Sequence, residues 1–440
     1  MASVLLRRPV LAWALYDWAN SAFATTVMAG FFPVFYSAIS GSLSTEDAQF
    51  WFNVTLAAAS LLVAVAAPLL GAVADRGGTR KHLLALFTLL GVLMTAGLAW
   101  VHAGQWVLGL ALYALGTVGF SASNIFYDSM LTDVSREQDF DLVSAFGYGL
   151  GYVGGGLLFA VNVLMAQRPD WFGLADAGEA VRASFVSVAV WWALFTLPIL
   201  LFVREAPTPN PAPPAQAVRE GLAQLRATFR AIRRMRVVLL FLGAYWLYID
   251  GVNTVIKTAV FFGDRILGLD QGALVTALLV TQFVAFPAAL FFGWLGKRIG
   301  ARPGILIGLF VYVGAILYAW RFLQTEADFY GLAIAIGLVQ GGVQSLSRSL
   351  FARMIPVDKA AEFFGFFNMV GKFATLLGPL LIALTPILVA GADPRDSILS
   401  LSLLFIAGGL LLWRLDPEAG QRLAQTLEDG HHGPRASDRP

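Results

Sequence analysis

Twelve apolar stretches, each long enough to cross a bilayer, constrain this chain more than any other feature. They run over about 10–39, 48–74, 82–102, 106–132, 139–166, 181–203, 236–262, 271–296, 301–321, 327–352, 360–389 and 395–414. A membrane-crossing helix needs roughly 20 apolar residues. Inside lipid the backbone must satisfy its own hydrogen bonds, so runs of this length without alternation read as helices. Only 13% of the residues are charged, against about 25% in soluble domains. The chain is therefore read as an all-α membrane protein with twelve transmembrane helices. Its first apolar run is read as a retained span and not a signal peptide, because it is too long and carries Asp17.

Lysine and arginine sort to one side. Arg7, Arg8, Arg76, Arg80, Lys81, Arg136, Lys297, Arg298, Arg302, Arg353 and Lys359 fall in one set of loops. The positive-inside rule makes that set, and both termini, cytoplasmic. In a bacterium the membrane would be the inner one. Between the sixth and seventh spans lies a linker, 205–235, dividing an N-terminal bundle (1–204) from a C-terminal bundle (236–415). It begins with a proline-rich stretch, 207–214, expected to be extended. A helical pattern follows, with Val218, Leu222, Leu225, Phe229 and Ile232 on one side and Arg219, Arg226, Arg230 and Arg233 on another. It is expected to lie on the inner leaflet. The polar stretch 416–440 is expected to be a flexible cytoplasmic tail, its His431 and His432 solvated.

The two halves echo one another. Gly71, Arg76, Gly78 and Arg80 recur as Gly293, Arg298, Gly300 and Arg302, a constant offset of 222 residues. Asp17, Asn20 and Ser21 of the first span are matched by Asp250, Asn253 and Thr254 of the seventh, offset by 233. Parallel repeats about an axis along the membrane normal are an architecture of secondary transporters, with the substrate near mid-membrane between the halves.

Polar residues inside apolar spans are costly and mark functional positions. Tyr16, Asp17 and Asn20 in the first span and Asp250, Asn253 and Lys257 in the seventh stand out, with Gln344 in the tenth and Lys372 in the eleventh. Lys372 falls roughly 18 Å along its helix, near the bilayer middle. These residues are expected to border a cavity for substrate, Asp17 also serving as a proton-coupling carboxylate. The competing possibility is that Asp17 is structural, bound to Lys372 or Asn20. Asp128 and Arg348 sit near the cytoplasmic ends of their spans and are expected to form a gating salt bridge. The glycines of span five, Gly147 to Gly156, are expected to let helices pack closely.

The loop Gly71-Ala72-Val73-Ala74-Asp75-Arg76-Gly77-Gly78-Thr79-Arg80-Lys81 resembles the signature loop of the major facilitator superfamily. There the aspartate caps a neighbouring helix and pairs with arginine, which implies gating roles for Asp75, Arg76 and Arg80. Lys297 replaces the aspartate in the second copy. Residues 16–23 (Tyr-Asp-Trp-Ala-Asn-Ser-Ala-Phe), Phe126-Tyr127-Asp128-Ser129 and Glu362-Phe363-Phe364-Gly365 are similar to one branch, the family of the yeast vacuolar amino-acid effluxer linked to autophagy. The resemblance implies two pseudo-symmetric six-helix bundles in the major facilitator fold and alternating access. It also implies export of small solutes, amino acids foremost, by a monomer with protons as co-substrate. Two rival readings stay open: an exporter of hydrophobic or drug-like molecules, and a non-transporting receptor or scaffold acting through the linker.

No enzymatic constellation, cofactor motif or metal-ligand cluster is visible in the sequence. No phosphate-loop lysine follows the glycine runs, and the chain has no cysteine. A net charge of +2 offers no basis for nucleic-acid binding.

Overall fold

The computed structural model describes residues 2–208, 211–388 and 394–432. Twelve helical segments are long and apolar enough to span a bilayer: Arg8–Ile39, Thr45–Gly77, Arg80–Trp100, Trp106–Val134, Glu137–Gln167, Ala177–Phe202, Arg236–Arg265, Gln271–Ile299, Ala301–Phe322, Glu326–Arg353, Val357–Leu388 and Arg395–Trp413. They are called spans one to twelve below. Several begin with side-chain caps at the end away from the termini. Ser44, Asp176, Asp270 and Thr325 each accept a backbone N–H from the first turn of the following helix, supplying one of the bonds a helix start otherwise lacks.

Irregular winding near the site falls in spans one and eleven. Phe23–Phe31 in span one is π-helical, a wider winding that frequently marks functional sites. Span eleven is broken into Ala360–Phe373 and Leu377–Leu388. Pro379 explains the break: it has no N–H for the carbonyl four residues back, and its ring crowds that carbonyl. The freed groups are re-satisfied from span seven, which is the condition for irregular backbone at membrane depth.

Spans one and five, and spans three and four, pack most closely within the N-terminal half; spans eight and ten do so within the C-terminal half. The halves meet along two seams, span two against span eleven and span five against spans eight and ten. Cross-half hydrogen bonds run from the end carrying both termini and the linker up to Gln282 Nε2, which donates to Thr25 Oγ1 at 3.1 Å. The halves are thus closed on each other at this linker end. Leu62, Val65, Leu86, Val190, Leu201, Phe310 and Leu403 are exposed on the outer spans, the surface a bilayer would cover.

The linker helix runs over Pro214–Arg234. It packs on span two through Ala217 and Gly221, with Gly221 against Val73. Val218 and Phe229 are exposed. The small residues Ala217 and Gly221 permit close packing on protein, and Leu225 of the apolar stripe packs against the core. The expectation of a flexible tail needs correction: Pro417–His432 is helical. Leu423, Ala424 and Leu427 give it an apolar face, and Gly420 packs on Met354. Residues 433–440 lie outside the described residues.

Candidate functional site

Arg348, on span ten and 1% exposed, is where the two halves meet electrostatically. Its Nη1 donates to Asp128 Oδ1 of span four at 3.0 Å and lies 4.0 Å from Asp17 Oδ2 of span one. Its Nε and Nη2 donate to the hydroxyl and the carbonyl of Ser144 in span five, each at 2.9 Å. The guanidinium also lies over the rings of Tyr148, Trp13 and Tyr127, at 4.3, 4.8 and 5.3 Å. A buried guanidinium is costly unless most of its donors and its charge are met, and faces of aromatic rings add attraction to a desolvated cation.

The surrounding residues hold this cluster in place. Trp13 Nε1 donates to the Tyr127 carbonyl at 2.8 Å, and the two rings stack with centroids 4.5 Å apart. Tyr127 Oη and Ser21 Oγ donate to opposite oxygens of Asp17 at 3.2 and 3.3 Å. Asn368 of span eleven donates to Asp128 Oδ2 at 3.2 Å. Gly147 makes room: a Cβ there would sit 2.7 Å from Tyr127 Oη and 3.2 Å from Arg348 Nη2.

The other residues singled out in the sequence fall into different surroundings. Tyr16 is fully buried, its hydroxyl 2.8 Å from Thr88 Oγ1. Asn20 donates to Asn124 at 2.6 Å. Gln344 accepts from Tyr152 across the halves at 2.9 Å. Asp250 has no exposed surface and caps the second half of span eleven, accepting from Leu376, Leu377 and Gly378 N–H at 3.1, 2.8 and 2.8 Å and from Thr254 Oγ1 at 3.2 Å. Asn253 donates to the Ala374 carbonyl at 3.0 Å. Lys257 is exposed and Lys372 half-buried. Asp17 meets Arg348, and no bond joins it to Lys372 or Asn20 among the described residues.

At the linker end, Asp75 accepts the N–H groups of Ala361 and Glu362 at 3.2 and 2.8 Å, capping span eleven from span two. Arg80 Nε lies 3.9 Å from Asp75, and its Nη1 lies 3.2 Å from Asp133 Oδ2. Arg76 instead turns to Glu220 of the linker helix at 2.7 Å. Beneath the cross-half cluster, an apolar crevice of about 90 Å³ is lined by Ile256, Leu278, Gln282, Phe329, Ile336 and Gln340 among others.

Sequence reasoning missed the partners. Ser144, Tyr148 and Trp13 looked like ordinary span residues, Arg353 was counted only as a loop charge, and Lys297 as a loop charge that departs from the motif. Arg353 in fact binds Asp141 with both Nη atoms, at 2.7 and 2.9 Å, and Lys297 binds Asp139 at 2.7 Å. The available signal was the pair of carboxylates, Asp139 and Asp141, at the start of span five, where a helix N-terminus alone does not require two.

The family described as "Vacuole effluxer Atg22 like" matches residues 51–140 and 132–425, nearly the whole membrane domain. The chain belongs to this family. An uncharacterised MFS-type transporter of Bacillus subtilis, YxiO, is 37% identical over 423 residues, covering 95% of this chain and 97% of that protein. Autophagy-related protein 22 of Pyricularia oryzae is 24% identical, covering 87% of this chain and 67% of that protein. Among solved structures, the proton:xylose symporter XylE superposes with a TM-score of 0.68 at 16% identity over 97% of this chain and 98% of XylE. FucP in its outward conformation gives 0.67 at 13% identity, covering 94% of this chain and 99% of FucP. These structures establish the fold alone: this Atg22-like chain has the major facilitator architecture and is an integral, multi-pass membrane transporter.

Proposed function

We propose that this facilitator exports small zwitterionic solutes, amino acids foremost, by alternating access coupled to protons. The observation that carries the reading is the sharing of one guanidinium, Arg348, by two carboxylates on the opposite half. Asp128 holds the short contact. Asp17 is the surplus carboxylate, at 4.0 Å with 13% of its side chain exposed. One proton on Asp17 balances the cluster; removing it adds a second claim on Arg348 and strengthens the cross-half attraction. Proton occupancy thereby weights one conformation over the other, as a coupled transporter requires. Asp75, Arg76, Arg80, Asp128 and Arg348 act as gate residues in this reading, since opening the linker end must separate Asp75 from span eleven and Arg348 from Asp128. Lys257 and Lys372, without partners among the described residues, together with the carboxylate of Asp17, support a substrate with both charges.

Flux of radiolabelled amino acids into proteoliposomes, with and without an imposed pH gradient, tests this reading. Gradient-driven flux is expected in the natural chain, and Asp17→Asn is expected to abolish the gradient dependence. Unchanged pH dependence in Asp17→Asn would remove the coupling role. A second reading has one observation of its own: the apolar crevice between spans seven, eight and ten suits a hydrophobic molecule. Flux of lipophilic dyes, unaffected by an excess of every amino acid, would favour it.

A further inference from the structure

We propose that Lys257 and Lys372 form a binding station for an anionic group, a carboxylate or similar oxyanion, beside the break in span eleven. The inference rests on the transporter reading and narrows its substrate. Span seven lays one stripe of residues along the break: Trp246 Nε1 donates to the Phe373 carbonyl at 3.2 Å, Asn253 to Ala374, and Asp250 receives the three amides that follow. Lys257 continues this stripe one turn on, and Lys372 sits in the last turn before the break. Asn253, one turn before Lys257, bonds the Ala374 carbonyl two residues past Lys372, so the two lysines stem from adjoining stretches of spans seven and eleven.

Neither ammonium has a hydrogen-bond or ion-pair partner among the described residues. The carboxylates within the membrane that could neutralise them are already committed. Asp17 and Asp128 serve Arg348, and Asp250 is saturated by Leu376, Leu377, Gly378 and Thr254. Two ammonium groups without partners on neighbouring membrane helices call for an anion. Asp250 keeps the break rigid, so the lysines stand on a fixed platform, and discontinuous helices are where transporters bind charged groups. A carboxylate between the lysines would accept from both. The amine of an amino acid would then be free to face Asp17 or solvent.

Equilibrium binding to the purified full chain in detergent tests this without reference to flux. The probes are leucine, succinate and inorganic phosphate, compared with leucinamide and diethyl succinate, which lack the free carboxylate. At least one anion is expected to stabilise the protein against heat and to bind in calorimetry, its uncharged counterpart failing to do so. Lys372→Gln and Lys257→Gln are each expected to weaken that binding roughly tenfold or more, as loss of a charge-assisted bond should. Lys372→Arg is expected to retain most of it and guards against a folding defect in the glutamine variant. Equal binding of leucine and leucinamide, insensitivity to both glutamine substitutions, or silence toward all three anions would each overturn the proposal. Anion binding without any flux would leave the station standing and remove the transporter reading; lysine-independent flux of uncharged solutes would do the reverse.

Discussion

Where span two meets span eleven, a carboxylate reaches across to backbone amides; where span eight meets span five, an ammonium reaches across to a carboxylate. The constant offset of the two loops makes these places equivalent in the repeat: Asp75 stands where Lys297 stands in the other half. Asp75 caps the start of span eleven through Ala361 and Glu362. Lys297 pairs with Asp139, and, two residues on, Arg353 of span ten pairs with Asp141, at the start of span five. Both arrangements bring charge to a helix start, where the macrodipole favours an anion. In one seam the anion arrives from the other half; in the other it belongs to the capped helix and the other half supplies the cation. The first seam therefore depends on close backbone approach, and Gly71 abuts the Ala361 carbonyl while a Cβ on Gly365 would lie 2.5 Å from that of Ala67. The second depends on side chains that can swing, so it is the more adjustable of the two.

The largest effect is expected at the point the second seam shares with the site. Arg348→Ala leaves Asp17 and Asp128 buried without their cation, a change that costs about 3–5 kcal/mol in comparable buried pairs. Thermal unfolding in detergent should show a much lower midpoint, and flux should be lost. The double substitution Arg348→Ala with Asp128→Asn should recover part of the stability and none of the flux. Full stability in the single variant would mean that the packing of span five against spans eight and ten, and not the ion cluster, holds this seam.

Next comes Asp75→Ala. Loss of a two-amide cap should cost the closed seam about 1–2 kcal/mol, or roughly a 5- to 30-fold shift toward opening. The chain has no cysteine, so a single Ala361→Cys label reports on one position. Its reaction with a maleimide should accelerate by that factor when Asp75→Ala is added. An unchanged rate would show that the glycine contacts alone keep the seam shut, and would separate packing from capping.

How far this contrast could be read from sequence depends on which half of each contact carries a local signature. The spans, the repeat and the loop at Asp75 were legible, because long apolar runs and glycine–arginine spacing are properties of neighbouring residues. Asp17, Asp128 and Arg348 were each visible as polar residues inside apolar helices. The Asp128–Arg348 bridge was expected from their places near the ends of their spans; that Asp17 joins it was not, since residues 17, 128 and 348 meet only through the packing of spans one, four and ten. Asp250 illustrates the opposite error. Its position in the repeat suggested a counterpart of Asp17, yet the break induced near Pro379 gave it three amides to cap. The charge reversal at Lys297 was read only as a departure from the motif, because its partner Asp139 lies 158 positions away in sequence.

A smaller effect is expected at Lys297. Its side chain is 38% exposed while that of Asp139 is 3% exposed, so solvent and salt screen the pair and Lys297→Ala should cost no more than about 1 kcal/mol. The swap Lys297→Asp with Asp139→Lys should restore what the single change loses. Raising salt should mimic Lys297→Ala in the second seam and leave the labelling rate at Ala361→Cys almost unchanged. Equal salt sensitivity in both seams would erase the distinction between a capped helix and a bridged one.

The smallest effect is expected where the linker helix touches the first seam. Arg76 and Glu220 meet at 2.7 Å, but their side chains are 46% and 31% exposed. Glu220 is also held by Gln216, and the Gln216 hydrogen bond followed by that of Arg76 keeps its carboxyl below the usual 4.5. A lowered value means the contact is intact above the usual carboxylate range and is lost as pH falls through the lowered one. At neutral pH, Arg76→Ala should change flux by less than about twofold, because Gly221 against Val73 and Gln224 donating to Glu362 at 2.7 Å still hold the helix in place. The labelling rate of a cysteine at exposed Val218, divided by that of free cysteine at the same pH to remove the thiol's own titration, should likewise be flat from neutral pH down to the carboxylate range and rise only below it. Gln224→Ala should matter more than Arg76→Ala, since Gln224 reaches span eleven itself and links the linker to both halves of the closed seam. If Arg76→Ala proved the more damaging, the linker would be acting through span two alone, and the first seam would owe its closure to an exposed ion pair as the second does.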